Sequence, residues 1–368
     1  MLLIHVSAHA IPKPIPNAPD FDADSYFLMD FDSGLVLAEK NPDKRVEPAS
    51  ITKLMTAYLV DKALSNGDIS LHDEVTVSEK AWRMKGSKMF IEVGKKVAVE
   101  ELIKGMIIQS GNDATVALAE HVAGSEKAFV EYMNHEAARL GMTNTQFRNS
   151  TGWPDPDHYS TARDIATLSR AVIRDFGDTY QLYSQREYTY NDIRQFNRNR
   201  LLWRDDDVDG LKTGHTEAAG YCLVSSAKKD KMRLISVVLG TESDKARTQS
   251  SMSLLNYGFR FFETQRLYGE KDVLKSARVW YGDQEQVQLG VNRDVFVTIA
   301  RGRYKDLDAS IEIDSQIKAP VAAGQELGRL KVRLDDETIV SQPLVAMHGI
   351  NDGGLVQRAV DSIKLLFE

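Results

Sequence analysis

The sequence holds one cysteine, Cys222, in 368 residues. No disulfide can form within the chain, and neither a disulfide framework nor a cysteine-built zinc site is available to it. Its eight histidines are scattered and none forms a His-Glu-x-x-His pair, which removes zincin-type peptidase chemistry. No metal or other cofactor is expected. Basic character is lacking too: the net charge is −7, so nothing draws the chain as a whole to nucleic acid. No apolar run reaches the roughly 20 residues needed to cross a bilayer.

What is present is an ordinary globular balance, 42% hydrophobic and 27% charged. The length suggests two domains at about 100–200 residues each. The first ten residues end in Ala8-His9-Ala10, a small-residue cleavage pattern, and a Pro-rich stretch Ile11-Pro12-Lys13-Pro14-Ile15-Pro16 follows. Residues 1–20 read as the remainder of a secretory signal and its leader, without a basic region before the apolar part.

Residues 25–30 and 34–39 are strand-like, and Asp32-Ser33-Gly34 between them supplies hairpin chemistry. A helix is predicted from near Ser50 to Asn66-Gly67, because Leu54, Met55, Tyr58, Leu59 and Ala63 recur at helical spacing. Further helices are predicted over 99–108, 113–124, to about 139, and 161–175, with a turn-rich loop over 147–160. Strands return at 210–215, 221–227 and 234–239, and a helix over 245–262 closes the domain, with Phe262 on its inner face. Residues 21–264 thus read as an α+β domain: an antiparallel sheet made from both ends of the segment, with a helical insert. Residues 276–350 read as a small all-β sandwich, with strands at 277–281, 295–300, 309–313, 327–334 and 338–344. The tail, 354–368, is an amphipathic helix with Val356, Val360, Ile363 and Phe367 on one face. Such a helix either lies on a membrane surface or docks on its own domain.

Chemistry concentrates at Pro48-Ala49-Ser50-Ile51-Thr52-Lys53. Residues three apart share a helix face, so Ser50 and Lys53 point the same way at a helix start. A serine hydroxyl becomes a nucleophile only with a base beside it, and a lysine serves once its pKa has been brought down. Ser-x-x-Lys alone is weak, since Ser225/Lys228, Ser226/Lys229 and Ser315/Lys318 repeat the spacing, and an N-cap serine beside a solvated lysine is the plain alternative. Two further motifs follow in order: Ser110-Gly111-Asn112 between two helices, and Lys212-Thr213-Gly214 at a strand. Each is common as a helix–helix turn or a strand end. All three together, in these contexts, form a catalytic pattern.

The set resembles the penicillin-binding-protein and serine β-lactamase superfamily. Residues 48–56, 108–114 and 208–216, the β-rich second domain and the tail are similar to the low-molecular-mass D-alanyl-D-alanine carboxypeptidases. The resemblance implies that Ser50 is the acylated nucleophile and Lys53 its base. It implies that Ser110 relays a proton to the leaving amine and that Asn112 holds Lys53 and the substrate amide. Lys212 is then expected to help depress Lys53 and to attract the substrate carboxylate, Thr213 to bond that carboxylate, and Gly214 to let the substrate lie close. The backbone N–H groups of Ser50 and His215 are expected to form the oxyanion hole, and Arg247 to orient the terminal carboxylate. The partners implied are peptidoglycan stem peptides and β-lactam inhibitors, with peripheral membrane contact through the tail helix and a periplasmic location at the inner membrane. A DD-endopeptidase or a β-lactamase shares the motifs, and a silent peptidoglycan-binding scaffold is the non-enzymatic alternative. The stretch 141–160 contains no glutamate to activate a deacylating water in the manner of class A β-lactamases.

Overall fold

A computed structural model describes residues 15–314 and 316–365; the leader residues 1–14 and Phe367 of the tail lie outside the described residues. The described residues divide into two compact units, one of 17–260 and one of 261 onward together with 15–16.

In the first unit the hairpin strands Ser25–Asp30 and Val36–Lys40 join three later strands, Val208–Thr216, Gly220–Lys229 and Met232–Thr241. Met232–Thr241 pairs with Ser25–Asp30, so one antiparallel five-stranded sheet is assembled from both ends of the unit. Val208–Thr216 is its last strand and carries the Lys212 motif along an open edge. Between the two sets of strands lies a helical body. Its centre is the helix Lys53–Asn66, which is buried on nearly every side and ends at Gly67 in a left-handed cap. A helix apolar on one face only would sit at the surface; this one also buries Val60 and Asp61 and threads the core.

The helix predicted over 99–108 ends earlier as an α-helix. Val99–Lys104 gives way to a wider π-turn, Gly105–Gln109, closed by Gly111 N–H donating to the Gly105 carbonyl at 2.9 Å. Such widened turns concentrate at functional sites. Here it releases Ser110 into a left-handed conformation, φ 65°.

In the second unit, residues 262–264, assigned from the sequence to the first domain, begin the strand Phe262–Tyr268. Phe262 and Thr264 are buried with Glu263 between them half-exposed, which is strand alternation, and the strand pairs with Val295–Ala300. The β-rich unit therefore starts before residue 276. Its larger sheet has six strands, with Val279, Val287, Leu289, Leu330 and Leu344 fully buried. The tail forms the helix Leu355–Lys364. Asp361 is its one buried residue, and the Asp361 carboxylate accepts from Tyr281 N–H at 2.8 Å. The helix thus meets its unit through a polar residue, and Leu355, Val356, Val360 and Ile363 are exposed. Among the described residues no helix is long and apolar enough to cross a membrane.

Candidate active site

Ser50 lies in the one-turn segment Ala49–Thr52 that leads directly into the helix Lys53–Asn66. Ala49 holds φ at 48°, a conformation costing a non-glycine residue about 1–3 kcal/mol. The turn is held from two sides. Gly214 of the edge strand passes so close that a Cβ there would come within 2.9 Å of the Pro48 carbonyl oxygen. Gly152 of the 147–160 loop, at φ 81°, would drive a Cβ into the Ala49 carbonyl. The clearance at Gly214, expected for the substrate, is taken up by the nucleophile's own turn.

Lys53 is buried, and its Nζ lies 3.0 Å from Ser50 Oγ, 2.7 Å from Asn112 Oδ1 and 2.8 Å from the Thr151 carbonyl oxygen. The Asn112 amide donates through Nδ2 to the Lys85 carbonyl at 2.6 Å, and that oxygen can only accept. The amide oxygen is therefore the atom turned to Lys53. The Thr151 carbonyl is also an acceptor only. A neutral amine has two N–H groups and one lone pair; these two acceptors take both N–H groups and leave the lone pair for the Ser50 hydroxyl. Burial pulls Lys53 down to about 7, with the nearby Asp113 charge opposing it.

Asp113 is itself fully buried and accepts from the N–H groups of Met89, Phe90 and Ile91 at 2.9, 2.9 and 3.3 Å. Lys212 Nζ donates to Ser110 Oγ at 2.8 Å. Lys212 is pushed well below its ordinary range, first by burial and then by the charges of Lys53, Arg198 and Arg247. The depression of Lys53 expected from Lys212 is not what lowers it: burial does, and the effect between the two amines is seen on Lys212 instead. Thr213 follows on the buried strand, and His215, exposed beyond it, packs on Tyr221 with ring centroids 4.0 Å apart.

The structure thus brings Ser50, Ser110, Asn112, Thr213, His215 and Arg247 around one cavity of about 620 Å³, with Gly214 in its wall. Lys53 and Lys212 are buried and reach its members through the hydrogen bonds above. Arg247 is largely occupied. Its Nε and Nη2 donate to Asp244, and its Nη1 to the carbonyls of Gly214 at 3.0 Å and Cys222 at 3.1 Å. One of its five N–H groups is left for a ligand.

Two participants were missed in the sequence. The Thr151 carbonyl carries no side-chain signal, since any residue offers one. Its position comes from the loop around it: Ser150 donates to Glu126, and the Ser150 carbonyl accepts from Thr56 at 2.7 Å. Arg198 lines the same cavity and belongs to no motif. Its neighbours fix it: Asn197 bonds the carbonyls of Tyr183 and Gln185, and Asn199 bonds that of Gly210, so both are buried while Arg198 faces out. Among the described residues Arg198 makes no ion pair or side-chain hydrogen bond. Also among the described residues, no three His, Cys, Asp or Glu side chains converge to hold a metal ion.

Residues 13–243 match the D-alanyl-D-alanine carboxypeptidase family, and residues 262–351 match the penicillin-binding protein 5 C-terminal domain. The chain is 45% identical to D-alanyl-D-alanine carboxypeptidase DacA of Escherichia coli over 98% of its own length and 93% of that protein's. Its fold is similar to penicillin binding protein 5 from Haemophilus influenzae, with a TM-score of 0.88 at 43% identity, covering 92% of this chain and all of the other. Penicillin-binding protein D2 from Listeria monocytogenes, solved in an ampicillin-bound form, is similar at a TM-score of 0.60 and 30% identity over 64% of this chain and 97% of its own.

Proposed function

This chain belongs to the D-alanyl-D-alanine carboxypeptidase family, and from that premise we propose how its groove removes the terminal D-alanine of a peptidoglycan stem pentapeptide. Ser50 Oγ attacks the carbonyl carbon of the penultimate D-alanine while its proton passes to Lys53 Nζ. The backbone N–H groups of Ser50 and His215 hold the developing oxyanion. The proton that Lys53 has taken is relayed through Ser110, which is hydrogen-bonded to Lys212, to the departing D-alanine amine as the C–N bond breaks, and Lys53 is left neutral. Water then hydrolyses the Ser50 ester and restores the hydroxyl. Thr213, Arg198 and the free N–H of Arg247 receive the terminal carboxylate. β-Lactams enter the same path and acylate Ser50. The observation that carries this reading is the Lys53 amine with two obligatory acceptors and its lone pair turned to Ser50.

Mass spectrometry after penicillin exposure is expected to find one adduct, on Ser50. The acylation rate is expected to rise with pH through about 7 and level off above it, because the neutral amine is the active form and burial brings Lys53 there. An adduct on another residue, or a rate flat from pH 5 to 9, would refute the mechanism. A β-lactamase reading predicts rapid steady turnover of penicillin in place of a lasting adduct. The absence of glutamate from 141–160 favours the carboxypeptidase.

The location proposed is the periplasmic face of the inner membrane, with the tail helix on the bilayer surface. What supports it is the helix's disposition: Leu355 is 88% and Val356 79% exposed, while the polar side is tied down at Asp361. The full chain is expected to sediment with anionic phospholipid vesicles, and the chain without residues 354–368 to stay in the supernatant at undiminished carboxypeptidase rate. Equal sedimentation of the two forms would end the anchor proposal.

A further inference from the structure

The 147–160 loop offers the Thr151 carbonyl to Lys53 from its middle. Its base is an antiparallel bridge, where Gln146 and Tyr159 exchange N–H···O bonds of 2.9 and 3.0 Å. Most of its side-chain bonds stay within it. Asn149 Oδ1 accepts from the N–H groups of Thr151, Gly152 and Trp153, and Arg148 pairs with Asp157. Among the described residues one loop side chain crosses to the nucleophile's turn by a hydrogen bond. His158 is buried, and its Nε2 lies 2.9 Å from Oγ1 of Thr52, the residue before Lys53. A Cβ at Gly152 would come within 2.9 Å of the same Oγ1, so loop and turn meet closely at this hydroxyl.

The loop itself fixes the tautomer. Arg148 N–H donates to Nδ1 of His158 at 3.3 Å, so Nδ1 carries the lone pair. The ring proton is then on Nε2, which donates it to Thr52. A second ring proton would face the Arg148 N–H. Burial pulls His158 down to about 4; the Asp155 charge opposes this and the Arg148 charge adds to it. The imidazole is therefore neutral across the range in which Lys53 titrates. The Phe147 ring packs edge-on against it, with centroids 5.7 Å apart. Both ring nitrogens are thus spent on joining two segments, the loop and the turn that carries the nucleophile.

We propose that His158 is a positioning residue for acylation: its bond to Thr52 seats the loop on the nucleophile's turn, which keeps the Lys53 amine out of water and its lone pair on Ser50. The inference rests on the reading of Lys53 as the base. Lys53 is depressed because it is buried, and the loop is part of what buries it. Thr151 places its carbonyl oxygen 2.8 Å from Nζ, and Gly152 lies against the Ala49 carbonyl. A loop released from Thr52 admits water to Nζ. Hydration favours the ammonium, and the amine moves back toward its ordinary value of about 10.4. His158 touches neither substrate nor Ser50, so its effect reaches the reaction through the protonation of Lys53.

The test follows acylation of the full chain by a fluorescent penicillin from about pH 5 to pH 10, with a thermal midpoint for each variant. His158→Asn keeps an oxygen for the Arg148 N–H but is too short to reach Thr52. Its rising limb is expected to move up by about one pH unit or more. At that shift about a tenth of the amine is neutral at pH 7 in place of half, so acylation there slows about fivefold and recovers toward pH 9. His158→Gln extends an amide N–H to Thr52 and is expected to keep the native limb. Thr52→Val removes the same bond from the other side and carries the test should His158→Asn fail to fold. Its limb is expected to move as far, and that of the double variant no further than either single. A partly unfolded population lowers the labelled fraction at every pH without moving the limb, so lost stability is not mistaken for lost position. A native limb in both His158→Asn and Thr52→Val overturns the inference and leaves Lys53 as the base. So does a limb displaced equally in His158→Gln, or one displaced in the double variant by the sum of the singles. A native chain with no limb near pH 7, or with no adduct on Ser50, overturns the reading of Lys53 itself.

Discussion

Lys53→Met is expected to slow penicillin acylation of Ser50 by about 10²–10⁴-fold, the range a positioned general base contributes. Methionine has a similar length and can fill the buried channel without carrying a proton. Any loss then reports the missing base. The variant also strands two acceptors, Asn112 Oδ1 and the Thr151 carbonyl, which the Lys53 amine satisfies in the native site. Each orphaned buried acceptor costs about 1–3 kcal/mol, so a lower thermal midpoint accompanies the loss. The two effects separate by their pH dependence. The limb that rises through about pH 7 in the native enzyme belongs to Lys53 and disappears in the variant, whereas a merely loosened site keeps its limb at a lower rate. Stopped-flow labelling with a fluorescent penicillin measures both. A variant that labels within tenfold of the native rate would remove Lys53 as the base.

The same residue shows how far the sequence could be read. Ser50, Lys53, Ser110, Asn112 and Lys212 are legible because their chemistry lies in side chains at fixed spacing beside recognisable helix and strand ends. The sheet was legible because 221–227 and 234–239 are largely apolar runs joined by a short turn, with 210–215 leading into them, and the structure extends each of the three. Short elements were not. The antiparallel pair Glu74–Thr76 and Lys96–Ala98 has strands of three residues, too few for alternation to register, and the hairpin of Glu187–Tyr190 with Ile193–Phe196 is almost as short. The second of these leads into Arg198, so the place of that residue on the catalytic groove was invisible for the same reason. The Thr151 carbonyl was hidden differently. A backbone oxygen has no letter in the sequence, and only the loop's contacts with Glu126 and Thr56 place it. The tail's apolar face was legible, but which side would meet the domain was not, because that depends on one carboxylate finding the Tyr281 N–H.

A backbone group can still be tested by substitution, through the glycine beside it. Gly152→Ala is expected to reduce kcat/KM on a D-alanyl-D-alanine peptide by about 10²-fold, the cost of a catalytic group displaced by about 1 Å. The new Cβ runs into the Ala49 carbonyl, so either the Ser50 turn or the Thr151 carbonyl has to move. Moving the first takes the nucleophile from its base, and moving the second frees an N–H of Lys53 from its acceptor and lets the amine turn its lone pair away from Ser50. Left-handed strain alone also destabilises an alanine, by about 1–2 kcal/mol, and could be mistaken for this effect. Gly141→Ala supplies the control. Gly141 has φ 80° against 81° at Gly152, and its added Cβ meets nothing within 4 Å. It is expected to lose comparable thermal stability from the backbone while keeping native turnover. If Gly152→Ala and Gly141→Ala lost activity to the same small extent, the contact between the 147–160 loop and the Ser50 turn would have no part in holding the nucleophile against Lys53.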